Sequence, residues 1–578
     1  MRATLEDRLQ KAAIFLQEDK LEDSITEYTE ALKHPLSSTQ KIDLYMVLGR
    51  LYQKLKMPNK AIAAFQESLI LYKTEQEKGN EAEIASVHNN LAAALLPSDV
   101  SSAITHYKAA ISFYKELVEA NGSSYTSHLA NTHFALGEAF VQKGNLLSAK
   151  KHYKEAIKRY EALPELNALK ARAHYQLGVI YTDEFNLFDA KKHYTKALDL
   201  YELQESSGNG PGMAIMAALH NNLAVTYNSM DEHPKAIAAY QRSLDIYKQL
   251  TSTHRDVFLP YEAATLNSLA ILFASSQELE KAIDYMQQSI DAYHSLSDLH
   301  PEQYIHYLAT SLHNIGLFYF EDKNYQKAEH FFSEALSLRR KMASEEPEAF
   351  GPDVCATALN LVELYQINLE TQLDISLKSK SLEILDEVKS RLDSFKDHRL
   401  VINNMRMDCI AQMEYFNAID LETLTLQYVT KKTSEYKEEI NSTILPSEKF
   451  VFQQELTSLL EEKQAQFPEN IEINALLVMS YNDLAWLLLR MNQPEKAKSY
   501  IHKGQLLDDS SHLLLCNLAH CFLLEKEAQK ALDHYRKFLS ADVGSQGFTD
   551  IIRKDLEMLL KEGADKNLVN DIREALTI

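Results

Sequence analysis

Residues Leu219–Leu250 read LHNNLAVTYNSMDEHPKAIAAYQRSLDIYKQL, and this stretch sets the pattern for the rest of the chain. Apolar residues recur at helical spacing in its first half, which predicts an amphipathic helix carrying Leu223 and Tyr227. A polar turn follows, and a second helical pattern carries Ala236 and Tyr240. Two amphipathic helices are therefore predicted to fold back on each other. Because one such hairpin cannot bury its own apolar face, we expect neighbouring hairpins to stack on it.

The same pattern recurs along the first 345 residues at nearly fixed spacing. Each unit is marked by a Leu or Ile followed by Gly or Ala, and successive marks are 43, 45, 41, 46, 46 and 46 residues apart. The marks are Leu48, Leu91, Leu136, Leu177, Leu223, Leu269 and Ile315. Six of the seven units also place an Ala thirteen residues after the mark. Together with an earlier unit at Asp7–His34, this register predicts about eight hairpins in residues 1–345.

The register resembles the tetratricopeptide repeat (TPR) superfamily. Units of 41–46 residues exceed the roughly 34 residues usual in that family and resemble its kinesin light-chain-like type. Residues Tyr307–Leu361 are similar to repeats of large bacterial signalling and defence proteins, where such arrays often lie beside protease or nucleotide-switch domains. The resemblance implies an all-α fold, a right-handed α-solenoid (superhelix) of stacked TPR helix hairpins.

The pattern weakens after about Phe350, so the sequence predicts more than one region. The predicted regions are an N-terminal TPR array (1–345), degenerate helical repeats or a boundary region (346–470), a C-terminal TPR pair (471–545) and capping helices (546–578). Leu484 and Leu518 are 34 residues apart, which is typical of the ordinary short repeat. The segment Ser206–Gly212, SSGNGPG, is predicted to be a flexible linker between repeats.

The charge balance limits the kinds of partner. The chain carries 60 Lys and Arg against 82 Asp and Glu, a formal charge of -22. A surface field of this sign should repel nucleic acid and anionic lipid, so we expect no nucleic acid partner and no membrane partner. A protein or peptide partner of neutral to basic charge is favoured, and the oligomeric state stays open.

The cysteines and the N-terminal residues indicate a compartment. The four cysteines are Cys355, Cys409, Cys516 and Cys521, and they form no CxxC pair. Cys516 and Cys521 are five residues apart on one predicted helix, which is a poor zinc geometry without two further ligands nearby, so buried apolar roles are expected. Such usage favours a reducing compartment. The start, MRATLEDRLQKAAIF, mixes charges with apolar residues, and no run of about 18 apolar residues occurs. We therefore expect a cytoplasmic protein.

The sequence shows no motif of an enzyme site. It lacks GxxxxGK[ST], HExxH and GxSxG, so we expect no catalytic residues, no cofactor and no bound metal. Histidines often precede the aromatic residue of a second helix, as His106, His152, His193 and His534 do. Because their placement follows the repeat, they are predicted to pack within it.

Amide side chains recur just before the register marks, on the first helix of each unit. In the resembled family these two positions line the concave surface and often hold the backbone of an extended peptide. An amide offers both donors and an acceptor, so it can satisfy peptide NH and CO groups without demanding a particular sequence. The candidate groove residues are Asn89, Asn90, Phe134, Tyr175, Asn221, Asn222, Asn267, His313, Asn314 and Asn360. Among them, Phe134, Tyr175 and His313 take the same concave position in other units and are expected to supply apolar walls. The alternative is that each Asn only bridges neighbouring helices.

Two functions are compatible with this pattern. The first is a non-catalytic TPR scaffold or adaptor that binds a protein or an extended peptide in its concave groove. The second is a regulatory subunit, gated by a peptide or partner, that controls an associated effector such as a protease in a bacterial signalling or defence system. Binding of acidic chaperone tails is disfavoured, because Arg172 is the one basic residue at the positions where the family places its carboxylate clamp.

Overall fold

Helices follow one another along the chain in pairs joined by short turns. The computed structural model describes residues 4–75, 80–205, 212–396, 399–540 and 547–578, and these residues contain no β-strand. Their contacts divide into two compact units, 1–318 and 319–578, with the division inside the helix Pro301–Glu321. The predicted all-α solenoid of stacked helix hairpins is confirmed.

The first unit is a regular array of hairpins. Its helices are α1 (Leu5–Gln17), α2 (Leu21–Ala31), α3 (Ser38–Lys54), α4 (Pro58–Glu75), α5 (Glu81–Leu95), α6 (Val100–Asn121), α7 (Thr126–Gln142), α8 (Leu146–Tyr160), α9 (Asn167–Asp183), α10 (Leu187–Glu205), α11 (Met213–Ser229), α12 (His233–Thr253), α13 (Arg255–Ser275), α14 (Leu279–Leu299) and α15 (Pro301–Glu321). From α1 to α14, each odd-numbered helix packs against the even-numbered helix after it, and each pair packs against the next pair. The apolar face of each hairpin is therefore buried by its neighbours, as the register predicts.

Small residues lie where the two helices of a hairpin cross. Gly137 of α7 lies against Tyr153 of α8, and a Cβ atom built on Gly137 would be 2.7 Å from Tyr153 Cε1. Ser243 of α12 is fully buried, and its Oγ donates a hydrogen bond to the carbonyl oxygen of Ala217 in α11 at 2.8 Å. The close approach therefore leaves no room for a larger side chain at these positions.

The turn inside a hairpin uses one left-handed residue at a fixed place. In five hairpins of the first unit, the residue eight positions after the mark has a φ between 54° and 76°. These residues are Lys56, Gly144, Phe185, Asp231 and Gln277. Four of the five are not glycine, although this conformation costs an L-residue roughly 1–2 kcal/mol. We infer that packing of the two helices fixes the conformation of the turn. The type of residue at the turn does not predict that conformation.

The second unit contains the remaining helices. They are α16 (Tyr325–Glu345), α17 (Pro347–Gln372), α18 (Ser376–Ser394), α19 (Leu400–Ala418), α20 (Leu421–Ser442), α21 (Pro446–Gln466), α22 (Ile471–Arg490), α23 (Pro494–Leu507), α24 (His512–Leu524), α25 (Ala528–Ser540), α26 (Gly547–Lys561) and α27 (Lys566–Leu576). The pairs α22–α23 and α24–α25 are regular hairpins, with left-handed Asn492 and Lys526 eight residues after their marks. Helix α26 packs against α22 and α25, and α27 packs against α25 and α26.

The middle of the second unit departs from the register. Helix α17 continues to a left-handed residue, Leu373, which lies twelve positions after the mark Leu361 rather than eight. This helix is therefore about one turn longer than its counterparts. Helix α19 then packs against both α17 and α18, while α20 packs against α21. These helices occupy the segment predicted to be degenerate.

Some sequence predictions about organisation stay predictions. They include the region boundaries at residues 345, 470 and 545 and the kinesin light-chain-like character of the repeats. The predicted linker Ser206–Gly212 lies, apart from Gly212, outside the described residues. Among the described helices, α13 alone is long and apolar enough to span a membrane by length and composition. It packs between α12 and α14, with Leu266 and Phe273 buried.

Candidate functional site

The predicted groove residues lie on the first helices of successive hairpins. Asn89 and Asn90 lie on α5, Phe134 on α7, Tyr175 on α9, Asn221 and Asn222 on α11, Asn267 on α13, His313 and Asn314 on α15, and Asn360 on α17. Phe134 is buried and the others are partly buried. Asn360 belongs to the second unit. The remaining nine belong to the first unit.

Several of the predicted groove amides contact other residues of the protein. Asn89 Oδ1 accepts a hydrogen bond from Thr132 Oγ1 of the next hairpin at 3.1 Å. Asn222 Nδ2 donates to Tyr175 Oη of the preceding hairpin at 3.3 Å. These are the contacts that the bridging alternative expects. Asn267 differs, because its buried Oδ1 has no hydrogen-bond partner within the described residues.

An aromatic cleft opens in the first unit beside Tyr175. Its volume is about 440 Å³, and its walls come from α9, α10, α11, α12 and α13. The residues that line it include Arg172, Tyr175, Tyr201, Tyr247, Phe258 and Tyr261. Helices of three consecutive hairpins therefore contribute to one concave surface, in which five aromatic residues lie among mainly apolar neighbours. Concave sites with apolar walls and a few polar groups are typical of ligand-binding sites.

Two stacked tyrosines form one wall of the cleft. The rings of Tyr247 on α12 and Tyr261 on α13 are 5.6 Å apart and inclined by 17°. Tyr247 is buried, whereas Tyr261 is 55% exposed and presents the outer face of its ring. Burial, with smaller effects of Tyr261 and Tyr175, raises the pKa of Tyr247 to about 12. Its hydroxyl is therefore neutral at physiological pH and can donate a hydrogen bond.

Arg172 places a positive charge at the cleft. Its guanidinium is 3.0 Å from Glu138 Oε1 and lies 4.9 Å from the centre of the Phe134 ring. Burial raises the pKa of Glu138, and Arg172 opposes that rise. Burial also raises the pKa of Tyr201, again opposed by Arg172. Arg172 thus links the predicted residue Phe134 to the cleft, which the predicted residue Tyr175 lines directly.

The sequence predicted one side of this cleft and missed the other. The helix position of Tyr175 predicts it as a groove residue, but Tyr201 and Tyr247 lie on second helices, where the pattern predicts none. A signal was present, since Tyr247 and Tyr261 recur 46 residues later as Tyr293 and Tyr307. The later pair is also stacked, with rings 5.4 Å apart. A search of both helices for aromatic residues in register would have found the pair.

Histidines form pairs inside three consecutive hairpins of the first unit. The pairs are His88 with His106 (2.8 Å), His133 with His152 (2.9 Å) and His174 with His193 (2.8 Å), measured between Nδ1 atoms. Burial, followed by the partner histidine, lowers the pKa of His133 and of His174 to about 3. Both rings of a pair are therefore neutral at pH 7, and one Nδ1–H donates to the other Nδ1. The sequence predicted packing for the second-helix histidines but not their pairing.

The fold defines a class, a solenoid of stacked helix hairpins. Three family models, each described as a tetratricopeptide repeat, match the chain at residues 169–249 and 215–295, at 308–347, and at 42–73 and 130–162. The chain is therefore a tetratricopeptide repeat protein. Such proteins are protein-interaction scaffolds or regulators and are generally non-catalytic.

Solved structures with a similar fold share little sequence with this chain. The apo form of RapI is 17% identical with a TM-score of 0.43, covering 67% of this chain and 98% of RapI. The apo form of the quorum sensor NprR from B. thuringiensis is 15% identical with a TM-score of 0.38, covering 58% and 87%. BtubC from P. vanneervenii is 20% identical with a TM-score of 0.34, covering 43% and 93%. No curated protein sequence matches the chain. Likenesses this distant do not identify a partner.

Proposed function

We propose that the protein is a non-catalytic scaffold or adaptor that binds a protein or an extended peptide along the first helices of its first unit. The observation that carries this proposal is the aromatic cleft of about 440 Å³ beside Tyr175. A cleft of this size lies in the range typical of ligand sites and has room for apolar or aromatic side chains of a peptide. The partly exposed amides of the neighbouring first helices would then hold the peptide backbone.

The partner's charge and location belong to the same proposal. A chain with a formal charge of -22 favours a neutral to basic partner and disfavours nucleic acid and anionic lipid. The four cysteines are free and buried, which suits a cytoplasmic protein. Asn360, which belongs to the second unit, stays a separate prediction.

A second candidate function is regulation of an effector, such as a protease in a bacterial signalling or defence system. The cleft favours it in one respect, because its walls come from five helices of three consecutive hairpins. A ligand bound there would contact all three hairpins at once, so it could favour one arrangement of them over another. A ligand that contacts both arrangements equally well would bind without changing the balance between them.

The experiment begins with affinity capture from the native host, followed by titration of the captured partner. Tyr261→Ala removes an exposed wall of the cleft, and we expect it to weaken binding by roughly tenfold or more, as for an aromatic anchor. Tyr307→Ala is the matched control, because Tyr307 is 47% exposed and stacks on Tyr293 in the same way. Unchanged affinity for Tyr261→Ala, with a normal thermal melt, would contradict the proposed site.

A further inference from the structure

A cluster of three metal-ligating side chains lies in the second unit, outside the cleft. Cys516 and His520 are four residues apart, on one face of α24, and Asp555 comes from α26. Cys516 Sγ is 3.5 Å from His520 Nε2, and His520 Nε2 is 3.3 Å from Asp555 Oδ2. The three ligand atoms all lie within 4.8 Å of one another. Cys516 and His520 are buried, and the side chain of Asp555 is 20% exposed.

We propose that Cys516, His520 and Asp555 bind one divalent transition-metal ion of the zinc type. Bonds of about 2.3 Å to sulfur and about 2.0–2.2 Å to nitrogen and oxygen, in tetrahedral geometry, place S and N about 3.6 Å apart and N and O about 3.4 Å apart. The two short distances in the cluster agree with these values. The set of one thiolate, one imidazole and one carboxylate is also a normal donor set for zinc.

The surroundings of His520 fit this role. Its Nδ1 lies 2.5 Å from the hydroxyl oxygen of Tyr535, the second-helix aromatic residue of the same hairpin. When Nδ1–H donates to Tyr535 Oη, Nε2 is unprotonated and faces Cys516 and Asp555. A metal-binding histidine usually donates its other N–H to an oxygen in this manner, which fixes its tautomer and orientation.

The site would join two parts of the second unit. Helix α24 belongs to the last regular hairpin, while α26 begins the predicted capping region. A metal ion held by both would fix α26 against that hairpin. Three protein ligands leave one position of a tetrahedral site, and the partial exposure of Asp555 gives a side from which water can fill it. Binding exchanges the thiol proton for the metal, Cys–SH + M²⁺ → Cys–S⁻–M²⁺ + H⁺.

The alternative is an ordinary buried hydrogen-bond network among the same groups. In that case His520 donates Nε2–H to Asp555, Cys516 stays a thiol, and no ion is needed. The two arrangements differ in one observable, the thiolate–metal bond. A cobalt(II) probe reports that bond directly, through its thiolate-to-cobalt charge-transfer absorption.

The chain also contains its own reporter. Trp486 is the one tryptophan of the sequence, and its ring is 5.6 Å from the ring of His520. We would strip the full chain of metal with a chelator and titrate it with cobalt(II). We expect saturation at one ion per chain, a thiolate charge-transfer band, quenching of Trp486 fluorescence and reversal by zinc(II). Absence of the band from the wild-type protein would overturn the proposal.

Variants separate the proposed ligands from their neighbours. Cys516→Ser should abolish the band, whereas Cys521→Ser should keep it, because Cys521 is a buried cysteine of the same helix that borders Lys498 and Glu525 instead. A band that survives Cys516→Ser would overturn the proposal.

A second pair of variants covers the case in which Cys516→Ser does not fold. Asp555→Asn keeps the shape of a partly exposed side chain and should weaken cobalt binding roughly tenfold or more. Tyr535→Phe, which removes the oxygen beside His520, should weaken it to a smaller degree. Wild-type affinity in Asp555→Asn would show that the three-ligand geometry is wrong.

Discussion

A left-handed residue ends the first helix of the regular hairpins in the first unit, and one also ends the long helix α17 in the second unit. The position of that residue relative to the mark differs between them. In the first unit the left-handed residue lies eight positions after the mark, as at Phe185, whereas in α17 it lies twelve positions after the mark, at Leu373. The side chains differ too, since Phe185 is 86% exposed and Leu373 is 1% exposed. A turn shifted by about one helical turn therefore keeps the hairpin but moves the turn residue into the core.

The largest expected loss of stability comes from a substitution in the first unit. Gly137→Leu forces a branched side chain against Tyr153, where even a Cβ would be 2.7 Å from the ring. Overpacking of this kind costs about 1–3 kcal/mol or more, and we expect the upper end because both helices are held by neighbouring hairpins. Circular dichroism melts measure the loss.

The control for Gly137→Leu is Gly144→Ala. Gly144 has a φ of 76° but no atom within 4 Å of a built Cβ. The control therefore costs only the backbone strain of roughly 1–2 kcal/mol. Equal melting temperatures for the wild type and Gly137→Leu would refute the register itself.

The second expected effect is a loss of stability at low pH, caused by the histidine pairs of the first unit. Burial holds the pKa of His133 and His174 near 3 in the folded protein, below the value of about 6.5 for an unfolded chain. Between these values the unfolded chain binds more protons, so stability falls as pH falls from about 6.5 toward 3. Each such histidine contributes up to about 1.4 kcal/mol per pH unit. Urea unfolding followed by circular dichroism at pH 7 and pH 5 measures the change.

A paired substitution tests the cause of this pH dependence. The hairpin α13–α14 carries Leu266 and Tyr285 at the positions where α9–α10 carries His174 and His193. The double variant His174→Leu with His193→Tyr places the residues of α13–α14 at the equivalent positions of α9–α10. We expect it to reduce the pH dependence of the free energy of unfolding while keeping the fold. An unchanged pH dependence would assign it to other groups.

The third prediction uses one substitution at the two turns and expects opposite signs. Leu373→Gly relieves a left-handed leucine but removes a buried side chain, so we expect a loss of about 2 kcal/mol or more. Phe185→Gly relieves the same backbone strain at an exposed residue, so we expect a gain of up to about 1 kcal/mol. Urea midpoints of both variants, with Trp486 fluorescence for the second unit, measure the difference. The same sign for both would show that burial does not distinguish the turns.

Much of the fold could be predicted because packing of neighbouring hairpins repeats the same small and large residues. Ala236 and Tyr240, read from the opening stretch, are both buried as expected. The helices in the middle of the second unit could not be predicted from the repeat pattern. Helix α17 continues to Leu373, about one turn further than in the regular hairpins, so the residues that follow no longer lie at the spacing that the pattern expects. The left-handed turns were also invisible, since residues as different as Lys56 and Phe185 occupy them.

The sites were harder to predict than the fold. Tyr175 was found from its helix position, but Tyr247 joins it only through the way successive hairpins stack, which spacing along one helix does not specify. The cluster around His520 was missed for a related reason. The sequence spacing pairs Cys516 with Cys521, five residues away, whereas its neighbours in the structure are His520 one turn along and Asp555 on another helix.

Hydroxyl-radical footprinting of the captured complex shows whether a partner occupies the aromatic cleft of the first unit. Tyr261 and Tyr307 are similarly exposed and similarly stacked, so each is an internal standard for the other. We predict that partner binding protects Tyr261 from oxidation more strongly than Tyr307, because Tyr261 lines the cleft and Tyr307 does not. Oxidation of Tyr261 at its free rate in a saturated complex would show that the partner does not occupy the cleft.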